Sequence, residues 1–439
     1  MLLKSTRFRQ VGANVMWLAG DRLFRMGLGF VVLGMVARFL GTSQFGVLHY
    51  AIGLTSIFAP VANLGIEGIV IRELVKSPAQ AHVILGTAWV MRLCAGGVAI
   101  ALVYLAAQLA GQSAAVAPMI VVVALAFLPQ SFDVIDLWFQ KQIQSKYTVL
   151  AKSLGALAGA ALKITLVLWK APILWFCGAV AFDAVFNAVA LVWVFRGRSQ
   201  LITSWRPSLL VARLILRDSW PLMVSGFLTA VYLRVEQVLV MNMLGSHSMG
   251  IYYASARLAE SWNILPGLLL SSIYPILVEK RQHDLQNYRQ KLQGVFDLLT
   301  GMGFAIAVVV TLFAPGIISL LYGAKYAGAV PILAVQAWTA PILFSGSVRG
   351  QFLLLENLTV YHTFAALLGI AANVTFALLL IPRYGAVGAS VAALGAGWIA
   401  AHLSSFLFAE LRECARLQTK AFFLPLRLPG LFRSFREAR

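Results

Sequence analysis

The sequence has few charged residues and few cysteines for its length. Only 12% of its 439 residues are charged, whereas 60% are hydrophobic, and soluble domains carry about 25% charged residues. The three cysteines, Cys94, Cys177 and Cys414, show no metal-binding or redox spacing. We therefore expect no metal site, and we expect the cysteines to serve as small packing residues.

In place of charge, the sequence contains a succession of long apolar runs separated by short polar joints. About 20 apolar residues cross the ~30 Å hydrocarbon core of a bilayer as a helix. The predicted fold class is an all-α polytopic membrane protein with about twelve transmembrane helices. The predicted spans cover residues 14–38, 46–71, 83–109, 116–139, 148–169, 173–195, 214–243, 249–278, 294–321, 329–354, 359–381 and 386–411.

Sequence motifs of enzymes are missing as well. No glycine-rich phosphate loop before Lys-Ser/Thr, HExxH, paired CxxC or nucleophile elbow occurs. The longest joint, at about 196–213, is too short for a catalytic domain outside the membrane. These absences argue against an enzyme and leave a membrane polymerase or ligase as a minor alternative.

The basic residues are distributed unevenly between the two sides of the predicted membrane. Of 35 Lys and Arg residues, 24 fall on the side that holds both termini, and only Lys170, Lys325 and Arg383 fall on the other. By the positive-inside rule, both termini lie in the cytoplasm. The net charge of +19 thus indicates topology and attraction to anionic lipid, and it does not indicate nucleic-acid binding.

Two short stretches indicate an internal repeat. LGTSQFGVLHYA (residues 40–51) follows the first span, and LGSHSMGIYYASA (244–256) follows the seventh, at an offset of 204 that aligns Gly41 with Gly245. Because an even number of spans separates the copies, the repeats are parallel, related by an axis along the membrane normal. We predict two six-helix lobes, residues 1–205 and 206–411, with a polar cavity between them.

A basic segment, residues 412–439, follows the second predicted lobe. Its alternation of basic and apolar residues is typical of an interfacial membrane segment. An unstructured cytoplasmic extension is an equally open interpretation.

Eight basic residues lie inside predicted spans, where a charge at the bilayer centre costs about 2.5–3.5 kcal/mol. Arg38 and Arg349 lie near span ends and could reach the headgroups. The others require a water-accessible cavity, and the guanidinium fork suits the oxygens of a diphosphate. The predicted cationic substrate-binding set is Arg22, Arg25, Arg234, Arg257 and Lys163.

Acidic residues accompany these cations within the spans. Asp21 and Arg25 are four residues apart, and Arg257 and Glu260 are three apart, so each pair shares a helix face. These pairs either neutralise each other or serve the substrate, and both interpretations stay open. The residues predicted for ion coupling or charge pairing are Asp21, Glu67, Asp133, Asp136, Glu236 and Glu260.

Asp133 and Asp136 lie at the end of the fourth span that is predicted to face the cytoplasm. They could bind a proton or a cation there. A role as an interfacial gate, or solvation at a helix end, is the alternative.

Four stretches resemble the polysaccharide-transporter, or Wzx-type flippase, branch of the multidrug/oligosaccharidyl-lipid/polysaccharide (MOP) exporter superfamily. They are ARFLGTSQFGVLHYA (37–51), FDVIDLWFQKQIQSKYTVLAKS (132–153), YLRVEQVLVMNMLGSHSMGIYYASARLAESWNILP (232–266) and IPRYGAVGASVA (381–392). With the order of the spans, the likeness covers about residues 10–411. Family members usually have Asp where this sequence has Glu236.

This resemblance implies a two-lobed bundle that moves undecaprenyl-diphosphate-linked oligosaccharide from the cytoplasmic to the periplasmic leaflet. Lipid II flippases look similar around YYASARLAE, and by that likeness Arg22 or Arg25 and Arg257 face the central cavity. Those flippases generally have fourteen spans, whereas this sequence has twelve. Drug exporters of the superfamily share the lobes, but their cavities are typically acidic and aromatic.

The resemblance and the charges together predict an alternating-access flippase of O-antigen or exopolysaccharide biosynthesis in the bacterial inner membrane. A MATE-like drug/cation antiporter is the alternative. We expect no bound cofactor, with an H⁺ or Na⁺ gradient as the energy source. The expected partners are the polyprenyl-diphosphate-linked oligosaccharide, the lipid bilayer, and polysaccharide polymerase and chain-length regulator proteins, without nucleic acid.

Overall fold

The computed structural model describes the backbone of residues 2–142, 144, 146–197, 202–424 and 427, and the side chains of these ranges from residue 25 onward except residue 146. All regular structure in these ranges is helical, with short 3₁₀ turns between the α-helices. The helices are α1 Leu2–Asn63, α2 Glu67–Lys76, α3 Ala81–Leu109, α4 Ala117–Ala124, α5 Phe127–Gln130, α6 Val134–Lys141, α7 Lys146–Leu168, α8 Ile173–Arg196, α9 Leu209–Ala259, α10 Ile264–His283, α11 Leu285–Leu321, α12 Ala329–Ala337, α13 Thr339–Leu355, α14 Val360–Ala401 and α15 Arg412–Phe422.

The described helices supply the predicted number of membrane spans. Nine apolar helical stretches within the described ranges are long enough to cross a membrane, and three of them are 52, 75 and 47 residues long. Each long stretch is broken at a glycine with positive φ, namely Gly41 in α1, Gly245 in α9 and Gly385 in α14. Division at these glycines gives twelve spans, so the predicted all-α, multi-pass fold is confirmed.

The repeat predicted from the sequence has the same backbone conformation in both copies. Gly41 has φ 68° and ψ 175°, and Gly245 has φ 80° and ψ 178°. This region of φ/ψ space is essentially restricted to glycine. Gly323, which lies in the joint between α11 and α12, adopts φ 84° and ψ 177°. A glycine in this conformation thus reverses the chain at three joints on the side predicted to face away from the cytoplasm.

The last span ends earlier than the predicted residue 411. Helix α14 ends at Ala401, His402 leaves the helical conformation, and two 3₁₀ turns lead into α15. Residues 402–411 are apolar enough to continue the hydropathy signal, but Ser404 and Ser405 turn inward to bond a buried arginine. Helix α15 buries one face against the preceding helices.

The chain divides into two compact units, unit 1 (Met1–Arg234) and unit 2 (Val235–Arg439). The first half of α9 belongs to unit 1, where Asp218 pairs with Arg72 of α2 at 2.5 Å. The backbone of Met223 lies so close to Gly65 that a Cβ on that glycine would be 2.8 Å from the Met223 nitrogen. The predicted lobes 1–205 and 206–411, with the basic segment 412–439, stay a prediction.

Each unit has an apolar core at the ends of the spans that are predicted to face the cytoplasm. In unit 1 the core combines Leu74 of α2, Phe139 of α6 and Phe195 of α8 with neighbouring side chains. In unit 2, Phe296 of α11 and Phe344 of α13 pack with residues of α10 and α15. These cores hold the ends of the spans together, and the polar groups described below lie among the spans.

Candidate functional site in the membrane spans

A buried polar cluster in unit 2 surrounds the carboxylate of Glu236. Asn373 donates its Nδ2–H to one oxygen of Glu236 at 2.7 Å, and the Tyr252 hydroxyl donates to the other. Tyr252 and Asn373 are each only 2% exposed. The Gln336 side chain hydrogen-bonds the Tyr252 hydroxyl. Four spans therefore converge on one acidic group, and we call these four residues the Glu236 cluster.

The Glu236 cluster has more acceptor oxygens than donors. Within the described part of the chain, the side-chain oxygens of Asn373 and Gln336 are buried and accept no hydrogen bond. A buried carboxylate is costly unless it is paired with a cation. Within the described residues, the hydrogen bonds given above join the Glu236 carboxylate only to neutral groups. Such an arrangement is suited to take up a proton or a small cation.

A second cluster, in unit 1, surrounds the guanidinium of Arg92 in α3. Arg92 is 2% exposed, donates from Nη2 to the Asn63 side chain at 2.5 Å, and lies 3.7 Å from the Glu67 carboxylate. Asp133 interacts with it electrostatically. Two of the acids predicted for ion coupling or charge pairing, Glu67 and Asp133, thus lie near Arg92, one of the eight basic residues inside predicted spans, which was not among the predicted site residues.

The Arg92 cluster is incompletely satisfied. Nε and Nη1 of Arg92 are buried without a hydrogen-bond partner in the part of the chain that the structure describes. A buried guanidinium needs several acceptors. The contact with Glu67 and the electrostatic attraction of Asp133 offset the charge of Arg92 but leave two of its donors unused. The roles predicted for Glu67 and Asp133, ion coupling or charge pairing, stay predictions.

Two further predicted residues of unit 1, Asp136 and Lys163, form pairs between neighbouring helices. Asp136 of α6 pairs with Lys152 of α7 at 2.6 Å, and Lys163 of α7 pairs with Asp183 of α8 at 2.5 Å. The absence of a side chain at Gly159 leaves room for the Asp183 carboxylate against α7. Asp136 and Lys163 are therefore engaged within unit 1, whereas their predicted roles toward ion and substrate stay predictions.

Arg257 and Glu260 lie on the surface of unit 2. Their side chains are 49% and 34% exposed, and Arg257 Nη1 lies 3.5 Å from Glu260 Oε2. The two side chains thus share a helix face, as predicted. The distance between the guanidinium and the carboxylate is long for an ion pair. The side chain of Arg257 is about half exposed.

The other predicted cations are less fully described. Arg25 and Arg234 are half-buried, and each interacts with other groups of the chain. Asp21 and Arg22 lie in α1, but their side chains fall outside the described residues. The roles predicted for these four residues stay predictions.

Arg349 differs from its expected placement near the headgroups. Its side chain is 3% exposed, and it donates to the Ser405 hydroxyl at 2.7 Å and to the Ser404 hydroxyl at 3.3 Å. The guanidinium is therefore turned inward and holds the end of the last span. Hydropathy could not reveal this because serines are common in membrane helices.

Single polar residues within apolar runs were the overlooked signal. Asn373, Gln336 and Tyr252 each stand among apolar neighbours in a span, and a polar group in lipid requires a partner. Such residues indicate an interior cluster, but the sequence does not pair them. Within the described ranges, no group of three or more His, Cys, Asp or Glu side chains could hold a metal ion.

Comparisons with solved structures show the fold of the MOP superfamily. The lipid II flippase MurJ in its inward closed conformation matches with a TM-score of 0.69 at 15% identity, covering 94% of this chain and 93% of that one. An inward-facing multidrug resistance MATE family transporter matches with a TM-score of 0.73 at 13% identity, covering 90% and 96%. A MOP superfamily transporter from Pyrococcus furiosus matches with 0.58 at 12% identity, covering 92% and 95%.

The sequence comparisons are consistent with this fold. No curated protein matched the chain, but the profile of the family described as "Polysaccharide biosynthesis protein" matches residues 11–280, more than half of the chain. The predicted resemblance to the polysaccharide branch of the superfamily is thereby confirmed. The chain belongs to the polysaccharide biosynthesis protein family and has the fold of the MOP transporters.

Proposed function

We propose that the protein is a flippase for polyprenyl-diphosphate-linked oligosaccharide repeat units. It moves them from the cytoplasmic to the periplasmic leaflet of the bacterial inner membrane for O-antigen or exopolysaccharide biosynthesis. Family membership supports the class of substrate, because a membrane transporter in polysaccharide biosynthesis must carry a saccharide intermediate across the bilayer. The polymerase and chain-length regulator that would use the product are proposed partners.

The exposed Arg257 guanidinium is the observation that carries this proposal. Arg257 lies twelve residues after Gly245 in α9, or about 18 Å along the helix at 1.5 Å per residue, near the middle of a ~30 Å hydrocarbon core. At that depth a side chain that is 49% exposed must face water, since contact with lipid is costly. A water-facing guanidinium offers the fork of donors that binds diphosphate oxygens.

The Glu236 cluster is the proposed coupling group. Glu236 lies nine residues before Gly245, or about 14 Å from the joint, and its neighbours Asn373 and Gln336 have unused acceptor oxygens. Binding of H⁺ or Na⁺ there would neutralise the carboxylate. An ion gradient can drive the transport cycle only if the alternating conformations of the protein differ in their affinity for that ion.

A deletion strain complemented with single variants tests the proposal. Loss of the protein should remove surface polysaccharide and increase the extractable lipid-linked repeat units. Arg257→Ala should lower the flipping rate about 10- to 100-fold, because a hydrogen bond between charged groups contributes about 1.5–3 kcal/mol. Arg257→Lys should retain part of the activity, because it keeps the charge and loses the fork.

Arg383→Ala is the matched control, since it removes an exposed arginine at a joint. The Arg383→Ala variant should fully restore surface polysaccharide in the deletion strain. Full activity of Arg257→Ala would refute the role of this residue. Drug sensitivity of the deletion strain, without accumulation of lipid-linked repeat units, would favour the MATE-like antiporter. Altered chain length with intact translocation would favour a polymerase or ligase.

A further inference from the structure

Helix α15 presents a row of basic side chains away from unit 2. Arg412, Arg416 and Lys420 are exposed and four residues apart. Residues at this spacing lie about 6 Å apart along one side of a helix. In the described part of the chain none of the three forms an ion pair. We call these three residues the α15 basic row.

The opposite face of α15 is fixed to the protein. Cys414, Ala415, Gln418 and Ala421 are buried, and the Gln418 amide donates to the Ser345 hydroxyl at 3.2 Å and to a backbone oxygen at the end of α14 at 3.0 Å. The helix therefore has a fixed orientation, with the basic row turned away from this packed face.

In the described part of the chain, neither Glu413 nor Glu410 forms an ion pair with the α15 basic row. Glu413 is turned toward α11, where it pairs with Arg289 at 2.5 Å. Glu410, in the 3₁₀ turn before α15, accepts a hydrogen bond from the Tyr361 hydroxyl. The outer face of the helix thus keeps an excess of positive charge.

Exposed apolar side chains flank the basic row at both ends. Phe406 and Leu407 precede α15 and are 46% and 63% exposed, and Phe423 follows it with 55%. The last span ends at Ala401, only eleven residues before Arg412. Basic residues flanked by exposed apolar groups, next to the end of a span, are typical of a helix that lies in a membrane interface.

We propose that the α15 basic row binds the headgroups of anionic phospholipids in the cytoplasmic leaflet. The guanidinium and ammonium groups meet the lipid phosphates, while Phe406, Leu407 and Phe423 enter the acyl region beside them. The positive-inside distribution places this helix on the leaflet that carries anionic lipid. The bound lipids stabilise unit 2, because α15 is packed into its core.

Lipid binding to the purified full-length chain in detergent tests this inference without a transport assay. Phosphatidylglycerol should raise the thermal unfolding temperature of the protein. A phosphatidylglycerol that carries a photoreactive group should label α15. Arg412→Gln/Arg416→Gln/Lys420→Gln should weaken the apparent affinity for phosphatidylglycerol about 100-fold, because each basic residue near an anionic surface contributes about 1 kcal/mol.

Two further variants separate charge from folding and from overall charge. Arg412→Lys/Arg416→Lys/Lys420→Arg keeps the charges and should keep the affinity. Lys170→Gln/Lys325→Gln/Arg383→Gln removes the same charge at the opposite joints and should also keep it. Equal phosphatidylglycerol affinity in the wild type and in the α15 glutamine variant would overturn the inference. Equal stabilisation by phosphatidylcholine or by inorganic phosphate would also overturn it.

Discussion

Replacing Gly245 with alanine tests the helix break that the internal repeat shares. Gly245 has φ 80° and ψ 178°, and a non-glycine residue in such a region costs about 1–3 kcal/mol. No heavy atom lies within 4 Å of the position that a Cβ would take, so the penalty is conformational and involves no clash. The free energy of unfolding of unit 2 should fall by this amount.

The expected shift is measurable by thermal unfolding in detergent. A domain of 150–250 residues loses about 2–4 °C per kcal/mol, so Gly245→Ala in unit 2 (Val235–Arg439) should lower the midpoint by about 2–12 °C. Gly41→Ala should lower the stability of unit 1 similarly, because Gly41 has the equivalent conformation and open space.

Gly316→Ala is the matched control for this prediction. Gly316 lies inside α11, and its φ is not positive. No heavy atom lies within 4 Å of the position that a Cβ would take there. There alanine should stabilise the helix by about 0.5–1 kcal/mol. If Gly245→Ala unfolds at the same temperature as Gly316→Ala, the backbone argument is refuted.

Two further predictions concern acidic residues of unit 2. Glu236→Gln removes the charge of the Glu236 cluster and nearly keeps the shape of the side chain. Translocation of repeat units in vesicles should therefore become independent of the imposed H⁺ or Na⁺ gradient. Unchanged dependence on the gradient would contradict the coupling role of Glu236. At the end of α13, two hydrogen bonds from Arg281, at 2.7 and 2.9 Å, hold the pKa of Glu356 below its usual value. Glu356→Gln should therefore cost about 1.5–3 kcal/mol at pH 7. The difference from the wild type should begin to shrink as the pH falls below the ordinary Glu pKa of about 4.3. It should vanish once the pH is below the lowered pKa of Glu356, because the carboxylate is then protonated in both states. A difference that does not change with pH would refute this assignment.

The fold was largely predictable because each span carries its own signal. Hydropathy predicted twelve spans, and glycines at equivalent positions of the repeat predicted two of the joints. The end of the last span was not predictable from hydropathy. Residues 402–411 are apolar enough to continue the hydropathy signal, but the chain leaves the helix at His402, and the Ser405 hydroxyl accepts a hydrogen bond from Arg349. A local pattern predicts local structure, but it does not reveal a bond to a distant helix.

The candidate sites were predictable only as a set of costly charges. Asp133 and Asp136 are three residues apart, yet Asp133 interacts with Arg92 of α3 and Asp136 pairs with Lys152 of α7. The 3₁₀ turn that ends at Asp133 separates the two side chains. Spacing along one segment therefore gave no information about which distant helix would supply each partner.

The sequence by itself determined that the chain crosses the membrane in helices and that the intramembrane charges need partners or water. Both follow from the cost of placing polar groups in lipid, which depends on residue type and run length alone. Only the tertiary structure decided that Glu236 meets Tyr252 and Asn373, that Arg92 gathers Glu67, and that α15 packs into unit 2. These contacts join residues far apart in the chain, and the packing of whole helices brings them together.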